Sequence, residues 1–316
     1  MITTTLGLTA SVGTVAAEVT KESGGFTTLF DVICKRFDLY QSEASSIAFA
    51  ACIFLCLITA YLIGSVNPAI IFSRIFFHED IRSFGSGNAG TTNTLRTYGK
   101  GMAALIFVLD LVKSAVAILL GSLILTRQIG GAVAALFVVL GHMFPIYYKF
   151  KGGKGVACTA ICILILSPAA FVILLPLFVV IVALTRYISL GSIISAMMFP
   201  FLSHVFYRQH GWITLSAFCI AALVVFMHRE NIKRLMSGKE SKLSFKKTDK
   251  HAVNAHDGVS AEKNESTSYG EGDFVTCACG RLIPRSRKEC VYCGEKNPKY
   301  VPKTADGGEE KGKRKK

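Results

Sequence analysis

Two things are scarce in this chain of 316 residues: acidic side chains, 21 against 35 Lys and Arg, and charge of either sign inside its apolar stretches. Residues 46–63 and 215–227 hold no charged side chain at all. A soluble protein of this length spreads its charges along amphipathic elements, so the segregation excludes an ordinary globular domain and makes lipid the solvent for most of the chain. A basic start followed by a small-residue cleavage site is also missing, which argues against a removable secretory signal. No internal repeat is present. Nothing in the cysteine usage requires an oxidising compartment, because Cys34, Cys52, Cys56, Cys158, Cys162 and Cys219 are scattered among apolar neighbours and read as small hydrophobes.

What is present is 51% hydrophobic residues and a formal net charge of +14 held outside the apolar runs. A hydrocarbon core about 30 Å thick takes roughly 20 helical residues to cross. Every spanning backbone group must be bonded within its own helix. The expected fold class is therefore an all-α polytopic membrane protein, with spans near residues 45–66, 103–125, 131–148, 188–206 and 211–228. The apolar block 156–184 is too long for one span, is interrupted by Pro168, and reads as two short crossings. Cytoplasmic loops are enriched in Lys and Arg. Loop 72–100 (Arg74, Arg82, Arg96, Lys100), loop 149–154 (Lys149, Lys151, Lys154) and the stretch after Met227 (Arg229, Lys233, Arg234) must share that side. Seven transmembrane helices satisfy this, with the N-terminus outside and the C-terminus in the cytoplasm. A six-span arrangement strands Arg186 outside.

The chain divides by composition. Residues 1–44 form an N-terminal extension in which Phe26, Leu29, Phe30, Ile33, Cys34 and Phe37 recur at helical spacing, suiting a helix on the outer membrane surface. Residues 45–238 are the membrane domain, and residues 239–273, rich in Lys, Ser, Glu and Asn, read as a flexible linker. Residues 274–300 carry Cys277, Cys279, Cys290 and Cys293, and residues 301–316 form a basic tail. Four thiolates suit tetrahedral zinc, and so small a module needs a staple to fold, so a zinc-ribbon-like module is expected. Its first pair is Cys-x-Cys where Cys-x-x-Cys is usual. With no open coordination position, its zinc is structural, and docking of a protein partner or a regulatory role is expected in place of catalysis.

Three polar segments carry the chemistry. Residues 85–96 contain Gly85, Ser86, Gly87, Asn88, Thr91, Thr92 and Asn93 and end in Arg96, a run costly in a helix. Glycines let a backbone approach an anion, the hydroxyls add donors, and a guanidinium offers a planar fork for phosphate. A Gly-rich surface turn is the plain alternative. The second segment places Gly141 and His142 before Lys151, Gly152, Gly153, Lys154 and Gly155. It lacks the spacing of a nucleotide-binding phosphate loop, yet two lysines on glycines suit a phosphate ester. Positive-inside bias alone also accounts for Lys149. In the third segment, His228, Asn231 and Leu235 share a helical face, with Arg229, Lys233 and Arg234 toward headgroups or solvent. Within a span, Asp110 and Lys113 mark either a site or a structural ion pair.

These residues, with Gly64-Ser65 and Asn67-Pro68 before them and Gly238 and Glu240 after, resemble the acyl-phosphate-dependent glycerol-3-phosphate acyltransferases (the PlsY family) over roughly residues 50–240. The resemblance implies a bacterial inner-membrane enzyme that moves an acyl chain from acyl phosphate to the 1-hydroxyl of glycerol-3-phosphate. On that reading Ser86, Arg96, Lys154, His228 and Asn231 are catalytic. Gly85, Gly87, Asn88, Thr92, Asn93, His142, Lys151, Gly152, Gly153 and Gly155 bind substrate, with the amides around Gly152, Gly153 and Gly155 helping to clamp phosphate. No cofactor is expected for catalysis, and no nucleic-acid partner. The rival reading is a transporter for a phosphorylated solute, disfavoured because the ligands gather on one face. A membrane scaffold recruiting a partner leaves the polar loops without a purpose.

Overall fold

The computed structural model describes residues 27–39, 43–125, 128–243, 274–276, 282–284 and 296. The chain separates into two compact units, residues 1–257 and 258–316. In the second, β1 (Phe274–Thr276) pairs antiparallel with β2 (Leu282–Pro284), Val275 opposite Ile283. Cys277, Cys279, Cys290 and Cys293 lie outside the described residues.

In the first unit the described elements are helices. They are α1 (Leu29–Phe37), α2 (Glu43–Ser65), α3 (Pro68–Phe77), α4 (Thr91–Tyr98), α5 (Lys100–Ile124), α6 (Ile129–Met143), α7 (Val156–Leu166), α8 (Pro168–Thr185), α9 (Ile188–Phe206), α10 (Gly211–Met227) and α11 (Arg229–Met236), with single 3-10 turns at Ile81–Ser83 and Ile146–Tyr148. Among the described residues, five stretches are long and apolar enough to cross a membrane: Ala44–Phe77, Lys100–Ile124, Ile129–Tyr148, Pro168–Thr185 and Ile188–Phe206. The pair α10–α11, bent by 57°, makes a sixth candidate, and α7 is a shorter apolar helix.

The breaks follow from local chemistry. Pro68 and Pro168 both occupy the first turn of a helix, where a missing N–H costs nothing. Asn67 caps α3 by accepting from Ile70 N. The apolar block accordingly splits at Ser167, where its sequence places the break. The run 85–96 is helical from Thr91 onward, contrary to its loop-like composition. Its glycines end at Gly90, the N-cap, and no Gly or Pro interrupts Thr91 to Tyr98, so packing overrides the weak helix propensity of its threonines.

Helix α6 is the centre of the bundle, contacting α2, α5, α7 and α10, and its Ala134, Ala135, Val138, Val139 and Met143 are fully buried. Glycines bring its neighbours close. A Cβ on Gly64 would lie 2.3 Å from Val138 O, and one on Gly141 would lie 2.3 Å from Tyr61 O, so α2 and α6 touch backbone to backbone. Helix α1 exists as its periodicity predicts, closed by a capping box between Thr28 and Asp31. Its buried face is narrower than expected, because Phe30 and Cys34 pack on Phe49, Cys52, Leu125 and Ile129 while Phe37 stays exposed.

The linker boundary needs correction. Residues 239–243 fold back on the bundle: Leu243 N donates to Arg186 O at 2.7 Å, and Glu240 accepts from Ser189, Asn231 and Arg234.

Candidate active site

One cavity of about 1010 Å³ opens where the 85–96 segment, the start of α7 and the α10–α11 bend converge. Ser86, Arg96, Lys154, His228 and Asn231 all line it, as do Gly85, Asn88, Thr92, Asn93, His142 and Gly155. Segments well over a hundred positions apart thus meet around one space.

The cavity has a cationic part and an apolar part. Arg96 projects from α4, and within the described residues no hydrogen bond or ion pair uses its guanidinium. Burial holds its pKa below the ordinary value, as does Arg234, against the pull of Glu240. Lys154 donates to Asn231 Oδ1. Burial pushes its pKa down to about 8, Arg234 and Arg96 add to the shift, and Glu240 opposes it. The buried hydroxyl of Thr91 has no hydrogen-bond partner among the described residues and lies on the same wall. The apolar part is lined by Phe107, Val156, Ala157, Phe178, Ile188 and Leu243.

Asn231 bridges Lys154 to Glu240, its Nδ2 donating to Glu240 Oε1 at 2.6 Å. The same carboxylate takes Ser189 Oγ at 2.7 Å and Arg234 Nε at 2.8 Å. Burial alone would raise the Glu240 pKa, but these hydrogen bonds outweigh it and hold the carboxyl below its usual range. At His228, Nδ1 lies 2.8 Å from Val224 O. A carbonyl can only accept, so Nδ1 carries the proton and Nε2 keeps a lone pair.

The floor is a buried ionic cluster. Lys113 Nζ lies 2.8 Å from Asp110 Oδ1 and 2.9 Å from His142 Nδ1, and it donates to Val66 O at 2.8 Å and Gly64 O at 3.3 Å. One ammonium therefore neutralises Asp110, orients His142 and caps the last carbonyls of α2. The ligand atoms of Asp110, His142 and Cys158 lie within 4.8 Å of one another, as in a metal site, but the ammonium already supplies the cation.

Several expected roles change. Gly152 N donates to Met143 O and Gly153 N to His142 O, each at 3.1 Å. Those amides are spent on the end of α6 and neither glycine lines the cavity. They are glycine because a Cβ would fall 2.1 Å from His142 O at Gly152 and 2.1 Å from His142 Nε2 at Gly153. Lys151 and Gly87 also lie off the cavity wall; Lys151 is exposed, and Gly87 N closes a turn on Phe84 O. Asn93 organises its own loop, accepting from Ser86 N at 2.9 Å and donating to Phe84 O at 2.9 Å and Ile81 O at 3.2 Å. Asn231, on the cavity wall, also holds Lys154 and Glu240. Arg229 and Lys233 are exposed as predicted, but Arg234 turns inward to Glu240. Ser189 and Ser192 were not anticipated as parts of the site, and Glu240 was named only as a motif residue of the resemblance, without a role in the site.

A helical membrane protein with a cavity that joins cationic side chains to an apolar wall suits enzymes or carriers that handle charged lipid precursors. The comparisons narrow this. The family model described as glycerol-3-phosphate acyltransferase matches residues 54–238. A glycerol-3-phosphate acyltransferase of a Thermoanaerobacter species is 42% identical over 192 residues, covering 61% of this chain and 96% of that protein. One from Enterococcus faecalis is 38% identical over 214 residues, covering 64% and 99%. The crystal structure of PlsY, an integral membrane glycerol 3-phosphate acyltransferase, in its glycerol 3-phosphate form superposes with a TM-score of 0.56 at 32% identity, covering 61% of this chain and 96% of that one. The chain belongs to the glycerol-3-phosphate acyltransferase family.

Proposed function

We propose that this protein transfers an acyl chain from acyl phosphate to the 1-hydroxyl of glycerol-3-phosphate, forming lysophosphatidic acid and inorganic phosphate. The observation that carries the reading is the single cavity that joins an uncommitted Arg96 and a nearby Lys154 to an apolar wall including Phe107 and Phe178. Reactants that are phosphate at one end and hydrocarbon at the other fit such a space.

Arg96 and Lys154 hold phosphate oxygens, with the hydroxyls of Ser86 and Thr91 beside them. An arriving dianion replaces Asn231 as the partner of Lys154. The acyl chain lies against Phe107, Val156, Phe178 and Ile188, which aligns its carbonyl with the bound glycerol. The hydroxyl oxygen attacks that carbonyl, the acyl–oxygen–phosphorus linkage breaks at the acyl carbon, and phosphate leaves. His228 Nε2 takes the hydroxyl proton. His142 is unsuited to this, with Lys113 on one nitrogen and Gly153 against the other. Acyl phosphate has a good leaving group, so orientation and charge stabilisation suffice without a protein nucleophile.

The seven apolar helices α2, α5, α6, α7, α8, α9 and α10 each cross the bilayer, with the N-terminus outside and the site facing the cytoplasm, supported by the Lys and Arg count of the loops. Thinning of the bilayer accommodates α7. The C-terminal cysteine module holds one structural zinc and docks a protein partner. Purified protein supplied with labelled glycerol-3-phosphate and acyl phosphate tests the reading. Acylated product supports it, uptake into vesicles without acylation points to a carrier, and exchange of acyl phosphate for acyl-CoA or acyl carrier protein identifies the donor.

A further inference from the structure

Arg82 lies off the cavity wall, and its guanidinium is wholly committed to protein. Nε and Nη2 fork onto Asp80 at 2.9 Å and 2.8 Å, while Nη1 donates to Tyr148 O at 3.0 Å and Lys151 O at 2.9 Å. Asp80 is completed by Arg82 N at 3.0 Å and Arg74 Nη2 at 2.9 Å. Arg82 thus clasps both ends of a short turn from the neighbouring loop.

That turn is one its own sequence disfavours. Lys149 and Phe150 are consecutive non-glycine residues in the left-handed region, at φ 57° and 56°, where Cβ crowds the following carbonyl. Such a conformation persists only when something outside imposes it. The carbonyls flanking the pair are the ones Arg82 holds. Beyond Lys151, Gly152 and Gly153 are pinned to the end of α6, and the next residue is Lys154.

We infer that Arg82 is a positioning residue for acyl transfer: by clasping the 148–151 turn it fixes where Lys154 leaves the glycine loop and so aims its ammonium into the cavity. The inference rests on the acyltransferase reading. Hydrogen bonds from Arg82, with Arg74 adding to them, hold the Asp80 pKa well below the usual carboxylate range, so the clasp survives mild acid. Lysine at position 82 keeps the charge but cannot reach a carboxylate and two carbonyls at once.

The test compares kcat/KM for glycerol-3-phosphate, as a function of pH, for wild type, Arg82→Ala, Arg82→Lys, Lys149→Gly and the double variant Arg82→Ala/Lys149→Gly. Around Lys154 stand Arg96 on α4, His228, Asn231 and Arg234 at the α10–α11 bend, and Glu240 beyond it. Once the clasp is lost, Lys154 leaves that setting. Arg82→Ala is expected to lower kcat/KM on the order of tenfold to a hundredfold and to move the alkaline limb toward that of an ordinary lysine. Arg82→Lys is expected to do the same. Lys149→Gly should leave wild-type activity unchanged and recover most of the loss in the double variant, because glycine takes positive φ without strain. Arg82→Ala within twofold of wild type overturns the inference, as does a loss with an unmoved alkaline limb or without recovery by Lys149→Gly. If Arg82→Ala does not survive extraction from the membrane, Arg82→Lys is read by the same criteria. A wild-type protein inactive with every acyl donor sinks the acyltransferase reading instead.

Discussion

Lys113 and His142 meet at 2.9 Å in the interior of the bundle, with Asp110 2.8 Å from the same ammonium. Removing one partner of a buried pair leaves an uncompensated charge, a loss of about 3–5 kcal/mol. Lys113→Met should therefore sharply lower the unfolding temperature in detergent, and so should Asp110→Leu. The double variant should recover much of the loss in stability. Additive losses across that cycle would contradict the coupling.

Arg96 is the one cavity guanidinium with no hydrogen bond or ion pair among the described residues. Arg96→Ala should lower kcat by on the order of a hundredfold or more, the usual cost of deleting a preorganised donor. Expression should be intact. Near-normal turnover would remove Arg96 from the mechanism.

Lys154 has a pKa pushed down to about 8. On the proposed role the protonated form binds phosphate, so kcat/KM for glycerol-3-phosphate should be maintained below that value and fall as pH rises through it. Lys154→Arg, whose charge does not titrate in this range, should flatten the alkaline limb even where it lowers the rate. A wild-type profile level through pH 8 and beyond would deny the ammonium this role.

Close helix contacts predict a stability contrast among glycines. Alanine at Gly64 or Gly141 places a Cβ 2.3 Å from a backbone oxygen, so α2 and α6 must separate. The expected cost is about 1–3 kcal/mol, read as a lower unfolding temperature. Gly101→Ala, with nothing within 4 Å, should cost nothing.

Metal analysis of the intact purified protein should find about one zinc per chain, four thiolates filling one tetrahedral site. Cys290→Ser/Cys293→Ser should abolish it. A content far below one in wild type would dismiss the zinc-ribbon reading of residues 274–300.

The apolar helices were legible because lipid imposes a coarse rule: charge leaves the spans. Arg96, Lys154 and His228 were legible because few residue types suit a phosphate in a glycine-rich setting. Glu240 entered only as a motif residue of the resemblance; its place in the site was not legible, since it depends on residues 239–243 reversing direction beyond α11, and no periodicity announces that reversal. Gly152 and Gly153 misled for a different reason. Backbone approach to a ligand and backbone approach to a helix end both demand glycine, so composition cannot separate them. Only the hydrogen bonds to Met143 and His142 do.

The contact between Lys154 and Asn231 also bears on discrimination. A neutral polyol offers this lysine nothing better than the amide oxygen it already holds, whereas a doubly negative group does. If Lys154 holds the phosphate as proposed, free glycerol, which carries the same hydroxyls as the phosphorylated substrate, could not win that exchange and would be turned away at the lysine before its hydroxyl is brought to the acyl donor.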